Sequence, residues 1–143
     1  SLFLKDGTVL VEDFGNGNTQ TYTTNGKYLG YDIPLTILVD ENSASASELV
    51  SGAVQDSGRA KLVGVKTFGK GTVQTWQQLV NGGGIRLTIA RWLTPKGHWI
   101  HGNGITPDIV VEWAQENRDE KNDPQLKAAI EALTTSSPTA KSG

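Results

Sequence analysis

The sequence predicts an α/β fold with a mixed sheet that contains a βαβ unit. Three observations point there. Residues 34–40 (PLTILVD) and 60–65 (AKLVGV) are short, nearly all-apolar runs, as expected of strands buried on both faces. Between them Leu49, Val50, Ala53 and Val54 recur at helical spacing. On either side lie segments that alternate apolar or β-branched residues with polar ones across glycine turns, the pattern of antiparallel hairpins.

The elements follow in order. Residues 1–7 (SLFLKDG) place Leu2 and Leu4 around Phe3 before Asp6-Gly7 breaks the run, which reads as the end of a helix. With that comes the expectation that the chain begins inside a longer protein. Residues 8–14 (TVLVEDF) and 19–27 (TQTYTTNGK) read as strands joined through Asn16-Gly17, a strong hairpin signal. The strand at 34–40 runs into a helix expected from Glu48 to about Ser57, with Gly58 at its C′ position. The next apolar strand, 60–65, completes the βαβ unit and should lie parallel to the first. Residues 72–80 and 84–94 form two further strands around the turn Asn81-Gly82-Gly83-Gly84. A loop-rich stretch from 97 ends in a short strand at 109–111. Asp123 as N-cap and Pro124 at N1 then open a helix that reaches Leu133. The expected domain spans residues 1–133, and the Ser/Thr/Pro/Lys/Gly tail at 134–143 is expected to be disordered.

Composition narrows the chemistry. The chain has 143 residues, a formal charge of −2 and ordinary shares of hydrophobic (36%) and charged (20%) residues, enough for one domain with a real core. That balance gives no electrostatic case for nucleic acid, which is excluded as a partner. No apolar run approaches the roughly 20 residues of a membrane helix. There is no cysteine, so a disulfide framework, a thiolate nucleophile and a cysteine-ligated zinc are excluded. His98 and His101 are too few for a histidine-rich metal site, and no metal or other cofactor is expected. Catalysis is left to Ser, Thr, Lys, Asp, Glu and these two histidines.

Residues 41–50 (ENSASASELV) carry the sharpest candidate. Ser45-Ala46-Ser47-Glu48 fits the capping box S-x-x-E, a purely structural device. The same geometry suits a nucleophile. A serine at a strand-to-helix turn stands at the edge of the sheet. The N–H of Ala46, unpaired at the positive end of the helix, is one half of an oxyanion hole. A serine hydroxyl needs a base. His98 and His101 lie together in a glycine-rich loop. Lys70 lies between Gly69 and Gly71, just after the second parallel strand, and sites in parallel sheets gather at the carboxyl ends of strands. Ser45 follows one such strand and Lys70 the other. The run Gly64-x-x-x-x-Gly69-Lys70 also matches the start of a P-loop. It lacks the Ser or Thr that would hold magnesium, having Gly71 there, and it leads into a strand instead of a helix.

Residues 41–74 resemble the core of the C-terminal processing peptidases, or tail-specific proteases, which are serine peptidases with a Ser/Lys dyad. The motifs are the S-A-S-A-S-E run, a helix ending near Gln55-Asp56, and a G-x-x-T-F-G-K-G-x-x-Q loop; the G-x-G-I-x-P-D element follows at 102–108. The match extends over about residues 1–133. It implies a crotonase/ClpP-like core with Ser45 as nucleophile, Lys70 as a general base whose proton is lost through burial, and Gln74 supporting the lysine. Ala46 N–H would serve the oxyanion, and Ser43, Ser47, Gly69 and Gly71 would line or bind substrate. Gln74 is the least secure on geometry, because i and i+4 stand about 13 Å apart in an extended strand. The chain would need a kink at Gly69 or Gly71. The resemblance further implies substrates with unfolded C-terminal tails and action outside the cytoplasm. It also implies that this chain is a fragment, lacking the PDZ domain and the upstream core half that supplies the second oxyanion donor, and poorly active alone. Two rivals stand beside this reading: a non-catalytic ligand- or peptide-binding module of the same fold family, and a Ser/His hydrolase using His98 or His101.

Overall fold

The structure, a computed structural model, describes residues 1–30, 33–114, 119 and 121–135. Among these residues nine elements follow one another: β1 (Thr8–Gly15), β2 (Asn18–Thr23), β3 (Thr36–Val39), α1 (Ala46–Asp56), β4 (Lys61–Gly64), β5 (Thr72–Gln78), β6 (Gly84–Leu93), β7 (Ile109–Val110) and α2 (Pro124–Thr135). The α/β class and the βαβ unit are as expected. The parallel and antiparallel pairs, however, are divided between two sheets. One is antiparallel and four-stranded, in the order β2-β1-β6-β5. The other is parallel and three-stranded, in the order β3-β4-β7.

Local chemistry explains most element ends. Asn16 (φ 52°) and Gly17 (φ 78°) take consecutive positive φ values, which suit the right-handed twist of a two-residue hairpin. β2 stops at Thr23, short of the expected 27, because Asn25 turns the chain: its side chain accepts from Lys27 N–H at 3.1 Å. Gly58, at φ 71°, ends α1 as the sequence required, and its N–H returns to Gln55 O at 2.9 Å. Asp123 Oδ1 accepts from Leu126 N–H at 2.9 Å, the expected cap of α2. That helix continues to Thr135, two residues into the expected tail; the remainder of the tail, 136–143, lies outside the described residues.

Residues 1–7 are not helical. Their polar groups bond sideways to the 24–29 segment (Leu2 O accepts from Leu29 N–H, and Ser1 Oγ from Asn25 N–H) and not up a helix. Leu4 is buried against Ala53 and Val54 of α1.

The core joins the two sheets. Val39 and Leu62 of the parallel sheet pack with Trp92 of the antiparallel sheet and with Ile100 and Ile105 of the loop before β7. Leu62, Val63 and Val54 are essentially inaccessible, and each such side chain contributes about 1.5–3 kcal/mol by leaving water. Ile37 touches both this cluster and the one around Leu4, so β3 is held from both sides. α2 packs over β3 and β4, and α1 packs against β1 and β4. The carboxyl ends of β3 and β4 are thereby fixed side by side, in register Val39↔Gly64. Gly64 (φ 133°) is needed there, because a Cβ would stand 1.9 Å from Val39 O. Both loops of the site begin at these two strand ends.

Candidate active site

The first loop leaves β3 at Asp40. The carboxylate of Asp40 accepts from Ser43 Oγ (2.9 Å) and Asn42 N–H (3.0 Å), while Ser43 Oγ accepts from Asp40 N–H (3.1 Å). Burial would raise the Asp40 carboxyl, but the bonds from Ser43 and Asn42 together outweigh it and hold it below the usual carboxylate range. This closed turn delivers the chain to Ser45, which sits at φ 55°, ψ −114°. A non-glycine residue pays about 1–3 kcal/mol for such a conformation and keeps it only where its surroundings enforce it. Sharp strand-to-helix turns that present a nucleophilic serine carry this kind of strain. Ala46 begins α1 immediately afterwards, so its N–H has no acceptor within the helix.

Glu48 is the enforcing group. It is fully buried, and its two carboxylate oxygens receive four donors. Oε2 accepts from Ser45 N–H (2.9 Å) and from Lys70 N–H (2.8 Å). Oε1 accepts from Thr67 Oγ1 (2.5 Å) and from Gly69 N–H (2.7 Å). A buried carboxylate is tolerated only with such saturation. One oxygen therefore ties the backbone of Ser45 directly to that of Lys70. The expected capping box is present: Glu48 accepts from Ser45 N–H at 2.9 Å, and the Ser45 side chain faces the N–H of Glu48.

The second loop, between β4 and β5, is held from beneath by residues 99–105. Thr67 Oγ1 accepts from Ile105 N–H at 2.7 Å, Gly69 O from Gly102 N–H at 3.0 Å, and Gly71 O from Trp99 Nε1 at 3.0 Å. Phe68 N–H donates to Ser43 O at 3.0 Å, a second link between the loops. A Cβ at Gly69 would lie 2.8 Å from Gly104 N, and one at Gly71 2.8 Å from His101 N. Both glycines thus press against the 100–104 loop. Lys70, between them, is exposed. Its side chain opens onto a cavity of about 330 Å³ lined by Ser45, Lys70, Thr72, Gln74, Thr75, Trp76 and Arg86. Among the described residues no cluster of His, Cys, Asp and Glu could hold a metal ion, and no helix is long and apolar enough to cross a membrane.

A model of peptidase family S41 matches residues 1–111. The chain belongs to peptidase family S41. A carboxyl-terminal-processing protease of Synechocystis sp. is 43% identical over 136 residues, covering 93% of this chain and 32% of that relative. A "Probable CtpA-like serine protease" of Staphylococcus aureus is 41% identical over 114 residues, 78% of this chain and 23% of that relative. Among solved structures, the photosystem II D1 C-terminal processing protease superposes with a TM-score of 0.74 at 30% identity, over 95% of this chain and 34% of that one. The chain thus spans between 23% and 34% of the length of these relatives.

Set against the S41 expectation, the structure brings Ser45, Lys70 and Gln74 to one cavity and places Ala46 N–H beside Ser45. It differs in five respects. Lys70 is exposed, not buried, because the glycines on either side take the buried direction. Gln74 makes no hydrogen bond to Lys70. The expected kink at the glycines is replaced by a bulge in the β5–β6 pairing, where Val73↔Ala90 is followed by Gln74↔Thr88. Ser43 spends its hydroxyl on Asp40, and Ser47 is exposed outside the cavity. Gly69 and Gly71 are packing positions for the neighbouring loop. The two histidines belong elsewhere: His98 lines a separate cavity of about 240 Å³, and His101 stacks on Trp99 with ring centroids 5.5 Å apart. The 64–71 stretch leads into β5, so no helix N-terminus stands where a P-loop would need one.

Sequence reasoning missed the wider task of Glu48, which reaches partners 19 to 22 residues away. The available signal was an acidic residue on the inward face of a helix, next to Ser51 and Gly52. It missed Trp76 and Arg86 as well, because their approach to Ser45 depends on how the hairpin folds back.

Proposed function

We propose that this chain carries the Ser/Lys centre of an endopeptidase that cleaves unfolded or C-terminal protein segments. The observation that carries this reading is the shared acceptor. Ser45, held in a strained turn, and Lys70 are bonded through their backbones to the same Glu48 oxygen, and their side chains line one cavity. In the reaction, the Lys70 amine takes the Ser45 hydroxyl proton as Oγ attacks the peptide carbonyl. Ala46 N–H donates to the developing oxyanion. Lys70 then gives the proton to the leaving amine, and water hydrolyses the acyl-serine. Gln74, on the same wall, is within the set of groups that can orient the lysine once substrate is present. We extend the proposal to action outside the cytoplasm, and to a second oxyanion donor and tail capture by further chain of the kind that makes the relatives longer.

Cleavage of an unfolded protein by the polypeptide that contains this chain tests the reading against the binding-module alternative. Lys70→Ala should lower turnover by about three orders of magnitude or more while substrate is still bound. Unchanged turnover in Lys70→Ala would overturn the dyad. No turnover in the unsubstituted protein, with binding kept, would favour the binding module. Loss of activity on substituting both histidines would restore the Ser/His alternative.

A further inference from the structure

The walls of the Ser45–Lys70 cavity are unbalanced in charge. None of the seven residues that line it is acidic, and beside Lys70 it holds Arg86. Three arginines fall within the described residues, and they are treated differently. Arg91 binds Asp13 through Nε and Nη2, each at 2.9 Å. Arg59 donates to the carbonyls of Gly30 and Ile33. Arg86 alone has no ion pair and no hydrogen bond among the described residues, and it stands exposed on the cavity wall. Its guanidinium presents a planar fork that matches a carboxylate.

Its placement is built into the ribbon. Arg86 pairs across the strands with Trp76, and Thr88 pairs with Gln74, one same-face step nearer the dyad. The bulge between the Val73 and Gln74 pairs sets this alignment. The Trp76 ring lies over Gly84, where a Cβ would stand 1.9 Å from it, so the aromatic wall and the arginine share one support. A guanidinium beside an exposed aromatic ring, a few residues along an extended peptide from Ser45, suits a substrate carboxylate.

We propose that Arg86 is a specificity-determining residue that selects substrates bringing a carboxylate into the cavity, whether an acidic side chain or a free C-terminus. This rests on the reading of Ser45 as the nucleophile only in calling the ligand a substrate; the binding itself does not require turnover. The test is calorimetric titration of the Ser45→Ala chain with unstructured ten-residue peptides. One arm compares a C-terminal acid with its amide. The other compares Asp with Asn at each internal position. At low salt the better carboxylate peptide should bind about tenfold tighter than its neutral partner, in the range of a charge-assisted hydrogen bond. The preference should fall as salt is raised. Arg86→Gln should abolish the preference and Arg86→Lys should keep part of it, with thermal unfolding confirming that both variants fold. Equal binding of acid and neutral peptides, a preference that survives Arg86→Gln, or no binding by any peptide overturns the proposal. Failure here leaves the Lys70→Ala turnover test standing. A carboxylate preference found without turnover would instead assign Arg86 to a binding module.

Discussion

Around Glu48, three backbone N–H groups and one hydroxyl converge on a fully buried carboxylate, whereas the opposite wall of the same cavity is an exposed two-stranded ribbon. There Trp76 is 62% accessible and Arg86 has no partner among the described residues. The contrast separates two tasks. The atoms that would react are fixed through their backbones, because small errors in their relative position are costly to catalysis. The wall that would meet substrate keeps polar groups uncommitted until something arrives to pair with them. Rigidity and recognition are thus assigned to different elements, α1 with the β4–β5 loop on one side and the β5–β6 hairpin on the other.

The most direct way to break the fixed side is Glu48→Ala. It leaves three N–H groups and a hydroxyl without their acceptor, and stability should fall by about 3–6 kcal/mol, read from denaturant unfolding. Glu48→Gln keeps the shape and should recover about half of that loss. If Glu48→Ala unfolds like the unsubstituted chain, the clamp is not what holds the loops. Gly64→Ala attacks the same side one layer below, forcing a Cβ against Val39 O at a positive φ. It should cost about 3 kcal/mol and loosen the register of the β3 and β4 ends, seen as faster amide exchange at Val65, which donates to Val39 O.

A smaller effect is expected at Asp108, which secures the base of the loop beneath Lys70. Burial pushes its carboxyl up, but bonds from Leu62 N–H, Lys61 and Gln55 together outweigh this and hold it below its ordinary 3.8. A carboxyl depressed in the folded state adds stability above its unfolded value, and that stability is lost as pH falls through the folded value. Asp108→Asn should therefore cost about 1 kcal/mol near pH 7 and flatten the loss of stability below about pH 4. A variant that keeps the steep acid limb would show that other carboxylates set it. The mildest change, Gly84→Ala, sharpens the comparison from the other wall. The new methyl displaces the Trp76 ring, which is free to swing, so stability should change by about 1 kcal/mol or less while Trp76 fluorescence shifts. A large loss of stability would mean that the ribbon is not the adaptable side.

Much of this could be read from the sequence wherever the cause is local. Asn16-Gly17 fixed its hairpin, Asp123-Pro124 opened α2, Gly58 closed α1, and the two apolar runs paired in parallel because a helix crosses between them. The strand-to-helix serine and the lysine at the neighbouring strand end were legible for the same reason. What escaped depends on partners distant in sequence. The division into two sheets is decided by which edge the β5–β6 hairpin joins. The exposure of Lys70 follows from the 100–104 loop occupying the glycine side of its backbone. Glu48 reads as a cap in its own turn and becomes a clamp only when residues 67–70 fold over it.

The account rests on Ser45 being the group held ready to attack, and labelling by a serine-directed acylating probe, read by mass spectrometry of the digested protein, tests that claim most directly. A single adduct on Ser45 is predicted, absent in Ser45→Ala and at least about a hundredfold slower to form in Lys70→Ala. An adduct that persists in Ser45→Ala, or that maps to Ser43 or Ser47, would contradict it.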